Sequence, residues 1–146
     1  MKKTLMAVLL GMTLSASTLA LDAGLSVGRN TGVKADVTQL SVGTDVLGLR
    51  LAGEFETARN QYHAYGVSLG KEFPVLGSLS LGGKVGISRF DSVNGKDGTV
   101  GRYGVSASYA VAKNVSIVGD MTRSFNVQDA QQFKGNTFST GVRFTF

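Results

Sequence analysis

The sequence predicts an all-β fold: a closed, antiparallel, up-and-down transmembrane β-barrel of about eight strands. After residue 21, no segment keeps the helical period of about 3.6 residues, whereas apolar and polar residues alternate over stretches of about ten residues. Gly is about twice as frequent as usual, at 20 of 146 residues. Small residues on the polar side suit a narrow barrel, because its interior has room for few long side chains.

The first four predicted strands lie between residues 21 and 73. Residues 21–28 set Leu, Ala, Leu and Val against Asp, Gly, Ser and Gly, and residues of about 36–45 set Thr, Leu and Val against Gln, Ser and Gly. Residues 47–55 carry three Leu and a Phe opposite Gly, Arg, Ala and Glu. Residues 64–73 carry Tyr, Val, Leu and Phe opposite Ala, Gly, Ser and Glu. Successive side chains of a strand point to opposite faces, so each segment has one apolar face and one polar face.

The last four predicted strands repeat this alternation. Residues 79–88 place Leu, Leu, Val and Ile opposite Ser, Gly and Lys, and residues 102–111 place Tyr, Val and Ala opposite Arg, Gly and Ser. Residues 115–122 place Val, Ile and Met opposite Ser, Asp and Thr. Residues 138–146 place Phe, Thr, Val, Phe and Phe opposite Ser, Gly, Arg and Thr. The even number of segments predicts that both ends of the barrel domain lie on the same side.

The connections between these segments alternate in length. The predicted short turns lie within residues 45–48, 73–78 and 112–115. The predicted longer connections, rich in Gly, Asn, Asp, Lys and Gln, span residues 29–36, 57–63, 89–100 and 125–134. Membrane barrels of bacteria have short periplasmic turns and longer extracellular loops. The pattern therefore predicts the direction in which the barrel crosses the membrane.

Residues 1–20 have the layout of a secretory signal peptide. Met1-Lys2-Lys3 is basic, residues 4–14 are apolar, and the small residues that follow end at Ala20. A helical membrane anchor is the alternative, but a spanning helix needs roughly 20 apolar residues. We expect cleavage after Ala20, a barrel domain over residues 21–146, and export to the outer membrane of a bacterial cell.

The alternation alone leaves a soluble lipocalin-like barrel or β-sandwich open, because it does not say which face meets the solvent. Three features favour lipid around the apolar face. The polar face holds mainly Gly and Ser rather than many Lys and Glu, Trp is absent, and the sequence ends on Phe146 of an alternating strand. The formal charge is only +5 and basic runs are short, so no nucleic-acid partner is predicted.

The predicted inner face carries four acidic and four basic residues. They are Asp22, Arg50, Glu54, Glu72, Lys84, Arg102, Asp120 and Arg143. Charges within a membrane are costly unless they are paired or hydrated. We therefore predict a salt-bridge network in the lumen formed by Arg50, Glu54, Lys84, Asp120 and Arg143. Counting residues from the short turns places Glu54 and Asp120 within reach of Lys84 at mid-height. It places Arg50 and Arg143 lower down, where each should meet a carboxylate or carbonyl groups. The same side chains could instead line a narrow pore for small solutes or ions, which is the alternative function.

Four arginines recur at nearly regular intervals, about one per hairpin: Arg29, Arg59, Arg89 and Arg123. Each follows the outward-facing residues of a strand that runs toward the longer connections. We predict that they form an outward-facing rim that contacts the phosphates of lipopolysaccharide, which the planar guanidinium group binds well. Chance placement of polar residues at strand ends is the alternative explanation.

No constellation for catalysis, metal binding or a cofactor is predicted. Residues Gly66–Gly70 match the G-x-S-x-G motif of serine hydrolases, but they lie in mid-strand, whereas the mechanism needs a sharp strand-to-helix turn. His63 is the only histidine. A barrel enzyme that modifies lipid A or phospholipids through His63 is the third functional alternative.

The last residues, Gly141 to Phe146, resemble the terminal strand of bacterial outer-membrane barrels. In that group a final Phe, with aromatic residues at alternate positions, is the signal for assembly. Together with the signal peptide and the eight segments, the chain resembles the small-barrel family that includes the transmembrane domain of outer membrane protein A and outer membrane protein X. The resemblance implies a monomer among outer-membrane lipids, assembled through Phe144 and Phe146, with a structural or surface-interaction role.

Overall fold

The computed structural model describes residues 20–146, which form a closed barrel of eight antiparallel strands. The strands are β1 (Leu21–Asn30), β2 (Ala35–Val46), β3 (Leu49–Ala58), β4 (Tyr62–Leu76), β5 (Leu79–Ser92), β6 (Gly98–Ala112), β7 (Val115–Gln128) and β8 (Gly135–Thr145). The predicted fold class is confirmed. Among residues 20–146, no helix is long and apolar enough to cross a membrane. The predicted signal peptide lies outside the described residues, apart from Ala20.

Strands β1 and β8 pair with each other and close the barrel, as predicted. Leu25 lies opposite Val142, and Gly24 lies opposite Arg143. The seam depends on a close backbone approach at Gly141, where an added Cβ would lie only 2.1 Å from the carbonyl oxygen of Leu25. Closure leaves no strand edge unpaired, which is the condition for placing a sheet in hydrocarbon.

One end of the barrel, which we call the turn end, has connections of two residues. Leu47 and Gly48 join β2 to β3, with φ angles of 54° and 78°. Residues 77–78 and 113–114 join the next two hairpins. The prediction of short turns at this end is confirmed. Leu47, predicted to begin the third strand, lies in the turn instead.

The connections at the opposite end, which we call the loop end, are shorter than predicted. They cover residues 31–34, 59–61, 93–97 and 129–134. The predicted spans 29–36, 57–63, 89–100 and 125–134 are therefore wrong at most of their bounds. The strands continue because their inward residues are buried; Phe90 and Val100, predicted in a loop, both have 0% exposure.

The two faces of the wall differ as the alternation predicts. Val27 and Val85 point outward and are 58% and 60% exposed, whereas Ala52 and Ser68 point inward and are 2% and 7% exposed. In water, so many projecting apolar side chains would be unfavourable. An apolar outer face is the expected arrangement for a barrel surrounded by lipid.

The interior has a polar part and an apolar part. The polar part extends from the turn end past the middle of the barrel. At the loop end the lumen is filled by a buried cluster, which we call the apolar cap: Ala35, Val37, Ala58, Tyr62, Ala64, Phe90, Val100, Ala130 and Phe133. Phe133 reaches the cap from a short 3₁₀ helix, Gln131–Phe133, in the connection between β7 and β8. The charged residues therefore lie beneath the apolar cap.

Candidate functional site

Among residues 20–146, nine charged residues form ion pairs inside the lumen, and they fall into three groups by their contacts. The group nearest the turn end, the lower layer, consists of Asp22, Arg50, Glu72 and Arg143. The middle layer consists of Glu54, Lys84 and Asp120. The upper layer consists of Glu56 and Arg102. Five acidic and four basic groups nearly neutralise one another, which limits the cost of placing them in a membrane-embedded lumen.

The lower layer contains two separate arginine–carboxylate pairs. Nε of Arg50 donates to Asp22 at 2.8 Å, and Nη2 of Arg50 donates to the other oxygen of the same carboxylate. Nη1 of Arg143 donates to Glu72 at 2.7 Å. Charge-assisted bonds of this kind are stronger than neutral ones, and the two-pronged geometry also orients both groups. Arg50 and Arg143 thus belong to pairs that do not include Lys84.

In the middle layer, one lysine lies between two carboxylates. Nζ of Lys84 is 3.1 Å from Oε1 of Glu54 and 3.7 Å from Oδ1 of Asp120. The hydroxyl group of Ser68 also donates to Oε1 of Glu54, at 2.7 Å. These groups come from β3, β4, β5 and β7, so the layer links strands on different sides of the barrel.

The upper layer is the most deeply buried. The side chains of Glu56 and Arg102 are 2% and 6% exposed, and Nη2 of Arg102 donates to Oε2 of Glu56 at 2.8 Å. Glu56 also accepts hydrogen bonds from the hydroxyl group of Tyr62, at 2.5 Å, and from the amide of Gln39. The Tyr62 oxygen in turn accepts from Nδ2 of Asn30 at 3.1 Å. The carboxylate is therefore satisfied by three donors from three strands.

Glu56 is missing from the residues predicted to face the lumen, because the predicted third strand ends at Phe55. In the structure β3 continues to Ala58. The signal for Glu56 is nevertheless present in the sequence, since the inward series Arg50, Ala52 and Glu54 reaches residue 56 after two more positions. Continuing the alternation of the third strand from Glu54 by two residues would therefore have predicted Glu56, the most buried carboxylate of the lumen.

The apolar cap closes the lumen above the upper layer. The ring centroids of Tyr62 and Phe90 are 4.8 Å apart, and those of Phe90 and Phe133 are 4.6 Å apart. All three rings are at most 3% exposed. Tilted aromatic packing at these distances is favourable. No sequence pattern indicates this role for Phe133, because it lies outside every alternating segment.

Little open space remains between the layers. The cavity among the lumen charges has a volume of about 60 Å³. A space of this size holds only a few water molecules. The lumen of the described chain is therefore filled mainly by its own side chains.

The four arginines of the predicted rim are all exposed and lie near the loop end. Nη1 of Arg29 is 2.8 Å from Asp36. Nε of Arg89 is 3.7 Å from Asp91. Within residues 20–146, neither of the other two, Arg59 and Arg123, forms an ion pair. Two of the four guanidinium groups are thus free of an acidic neighbour in the described chain.

Three of these arginines lie beside outward aromatic side chains of neighbouring strands. Arg29 is opposite Phe138, Arg89 is opposite Tyr65, and Arg123 is opposite Tyr103. Aromatic girdles mark the boundary between hydrocarbon and headgroups in membrane barrels. The position beside these rings is where a positive side chain can reach lipid headgroups.

His63 and Ser68 lie on opposite faces of β4, so the barrel wall separates them. Ser68 faces the lumen and donates to Glu54. His63 is exposed on the outside, with Nδ1 2.8 Å from Oγ1 of Thr57 and its ring 6.1 Å from that of Phe55. The G-x-S-x-G match is therefore not accompanied by a histidine base. Residues 20–146 also contain no group of three or more His, Cys, Asp or Glu side chains able to hold a metal ion.

Comparison with known proteins identifies the family. Residues 7–146 match the family described as outer membrane protein beta-barrel domain. The chain belongs to this family. It is an integral β-barrel protein of the bacterial outer membrane. Among curated proteins, none matches the sequence significantly.

Solved structures of other barrels share the fold of this outer membrane barrel at low sequence identity. The N-terminal β-barrel domain of Pseudomonas aeruginosa OprF aligns with a TM-score of 0.72 and 16% identity, covering 87% of this chain and 97% of that chain. Neisserial surface protein A aligns with a TM-score of 0.58 and 20% identity, covering 88% and 96%. Ail of Yersinia pestis aligns with a TM-score of 0.51 and 18% identity, covering 86% and 99%. These similarities concern the fold alone.

The orientation of this outer membrane barrel follows from its connections. Short turns face the periplasm in such barrels and the other end faces outward. The lower layer then lies nearest the periplasm, and the apolar cap lies at the external end. The rim arginines lie near the same external end.

Proposed function

We propose that this protein is a structural, surface-contacting barrel of the outer membrane, with a closed lumen and no enzymatic activity. The observation that carries the proposal is the filled lumen: three layers of paired charges lie beneath the apolar cap, and the cavity among them is about 60 Å³. Such an interior strengthens the barrel and leaves its outer surface to interact with lipids or other molecules.

The narrow pore is the alternative that the lumen argues against. An ion crossing the barrel would have to displace the packed rings of Phe90 and Phe133 and then separate Glu56 from Arg102. Separating a buried ion pair leaves uncompensated charges in a medium of low dielectric constant, which is strongly unfavourable.

Planar-bilayer recording tests the closed lumen. The full chain recovered from outer membranes is expected to give no steady conductance, and a large porin inserted under the same conditions is the positive control. Steady, reproducible openings of the wild-type protein would show that the lumen conducts and would overturn the proposal.

We further propose that the rim of Arg29, Arg59, Arg89 and Arg123 contacts lipopolysaccharide phosphates. All four side chains are exposed near the external end, and two of them make no ion pair within residues 20–146. A basic side chain near the interface costs only about 0–1 kcal/mol, against about 2–4 kcal/mol at the midplane. The guanidinium fork matches the geometry of phosphate oxygens.

The rim is tested by the thermal unfolding of the refolded barrel with and without lipopolysaccharide. We expect lipopolysaccharide to raise the midpoint temperature of unfolding of the wild type. The variant in which all four arginines are changed to Gln should lose most of that increase. Lys113→Gln, an exposed change at the turn end, is the matched control and should keep it. If the fourfold variant keeps the full increase, the rim does not bind lipopolysaccharide.

Export and assembly form a separate part of the proposal. We propose that residues 1–20 are cleaved off and that residues 21–146 insert into the outer membrane as a monomer. We also propose that the barrel-assembly machinery recognises Phe144 and Phe146. Both rings are exposed, at 46% and 76%. Phe146→Ser should lower the amount in outer membranes while the purified variant still refolds; an unchanged amount would refute this role. The mass of the exported protein reports the cleavage site.

The enzymatic alternative is tested through His63. Lipid A and phospholipids from cells with and without the protein are compared by mass spectrometry. We expect identical acyl patterns, and a His63→Ala variant should change nothing. An acyl change that appears with the wild type and disappears with His63→Ala would establish an enzyme.

A further inference from the structure

One charged side chain lies on the lipid-facing side of the wall, away from the rim. Lys71 follows Leu69 and precedes Phe73 in the outward series of β4, and all three side chains are exposed. Nζ of Lys71 lies 5.2 Å from the centre of the Phe73 ring. Within residues 20–146, Lys71 forms no ion pair, in contrast to the four basic residues of the lumen.

The direction of the Lys71 side chain indicates which lipid leaflet its ammonium group approaches. Phe73 is closer than Lys71 to the periplasmic turn at Gly77, so the ammonium group is directed toward the periplasmic interface. Long basic side chains at this depth reach toward the headgroups while their carbon stem stays in the apolar region. An anionic group at that interface would compensate the charge.

A groove runs beside Lys71 on the same outer surface. Its floor is Gly83, which lies opposite Lys71 in the pairing of β4 with β5. The groove has a volume of about 620 Å³ and is walled by Leu69, Val85 and Val105. It therefore combines an apolar channel with Lys71 at its periplasmic end, and the rim residue Arg123 also lines it.

The barrel itself does not require glycine at this position. A Cβ added to Gly83 would meet only the carbonyl oxygen of Gly104, at 3.7 Å, which is ordinary contact. The seam residue Gly141 differs, because its added Cβ would overlap the backbone of the neighbouring strand. A larger side chain would fit at residue 83 and would fill the groove.

We propose that this groove binds one acidic phospholipid of the periplasmic leaflet. Its phosphate lies at Lys71 and one acyl chain lies along Gly83 between Val85 and Val105. A net-negative headgroup, such as phosphatidylglycerol, is preferred because a zwitterionic headgroup brings its own ammonium group, which competes with Lys71. Lys71 distinguishes this site from the rim, since Arg123, the rim residue that also lines the groove, lies opposite Tyr103 on the far side of the groove from Lys71.

Native mass spectrometry tests the site. The full chain is purified from outer membranes in mild detergent, and phosphatidylglycerol or phosphatidylethanolamine is added at equal concentration. One basic residue at a membrane surface changes the affinity for acidic lipid by about fivefold. The wild type should therefore retain one phosphatidylglycerol about five times more often than one phosphatidylethanolamine.

Two variants and one control separate the parts of the site. Lys71→Met should remove the preference between the two lipids, and Lys71→Arg should keep it. Gly83→Leu should abolish retention of both. Gly119→Leu is the matched control, because a Cβ there meets nothing within 4 Å and Gly119 does not line the groove. Its retention should equal that of the wild type.

Three results would overturn the proposal. Equal retention of both lipids by the wild type would show that Lys71 does not select an acidic headgroup. Retention that survives Gly83→Leu, or that Gly119→Leu reduces as strongly, would show that lipid binds the wall without a specific site. Each variant is first shown to fold by its heat-dependent migration on a detergent gel, and none of the changed residues is one of the lumen charges or rim arginines.

Discussion

The buried pair of Glu56 and Arg102 offers the sharpest test of how this barrel is stabilised. Changing Arg102 to Met keeps an unbranched apolar stem, about as long as the aliphatic part of Arg, but removes the charge and the donors. Glu56 then keeps its hydrogen bonds from Tyr62 and Gln39 but loses the cation at 2.8 Å. Because its side chain is only 2% exposed, water cannot replace the lost partner.

The expected magnitude follows from this burial. Removing one partner of a buried ion pair costs about 3–5 kcal/mol, because the other charge is left without compensation. The pair of Arg29 and Asp36 has a similar separation of 2.8 Å, but its side chains are 60% and 83% exposed. Breaking an exposed pair costs about 0.2–1 kcal/mol. Arg102→Met should therefore lower the free energy of unfolding by at least about 2 kcal/mol more than Arg29→Met.

Urea titration of the barrel in lipid vesicles measures this difference. The sequence has no Trp, so the loss of β-structure is followed by far-ultraviolet circular dichroism. The double variant Arg102→Met with Glu56→Gln should recover much of the loss, because the neutral amide oxygen still accepts from Tyr62. Equal effects of Arg102→Met and Arg29→Met, or no recovery in the double variant, would refute the argument from buried charge.

Three further changes probe the cap, the outer wall and the seam. Phe133→Ala should cost about 3–5 kcal/mol of unfolding free energy by the same titration, because it opens a cavity in the cap; a loss below about 1 kcal/mol would mean that the loop end is not packed as described. Val85→Arg should cost about 2–4 kcal/mol and Val85→Leu almost nothing; equal effects would contradict the lipid-facing assignment. Gly141→Val should prevent the closed, heat-modifiable form, because its Cβ would lie 2.1 Å from the carbonyl oxygen of Leu25. Gly119→Val should not prevent it, and normal closure of both variants would contradict the seam geometry.

The face of each side chain could be predicted from the sequence because it is a local property. In an extended chain, successive residues alternate between two faces whatever the partner strand is. Val85 could therefore be assigned to the outside and Lys84 to the lumen before any pairing was known. The bounds of the strands at the loop end could not be predicted in this way. Phe90 and Val100 continue their strands only because the apolar cap buries them.

Counting residues from the turns placed Glu54, Lys84 and Asp120 at one height, but the partners of Arg50 and Arg143 depended on tertiary structure. Arg143 and Glu72 are separated by 71 residues and lie on β8 and β4, which are not neighbours in the barrel. Which charges meet across the lumen is decided by the stagger of the strands and the closure of the ring, and the alternation contains neither quantity. The same stagger joins Arg50 to Asp22, a partner that the predicted position of Arg50 near the short turns does not by itself name.

The sequence by itself determined the closed antiparallel barrel, the end at which its short turns lie and the inward or outward face of its charged residues. These follow from a repeat of two residues and from turn chemistry, which act over a few positions. Only the tertiary structure decided that Glu56 joins Arg102, that Phe133 enters the cap and that Gly83 opens a groove beside Lys71. Each of these depends on contacts between segments distant in sequence, which form only when the eight strands close into a ring of one particular stagger.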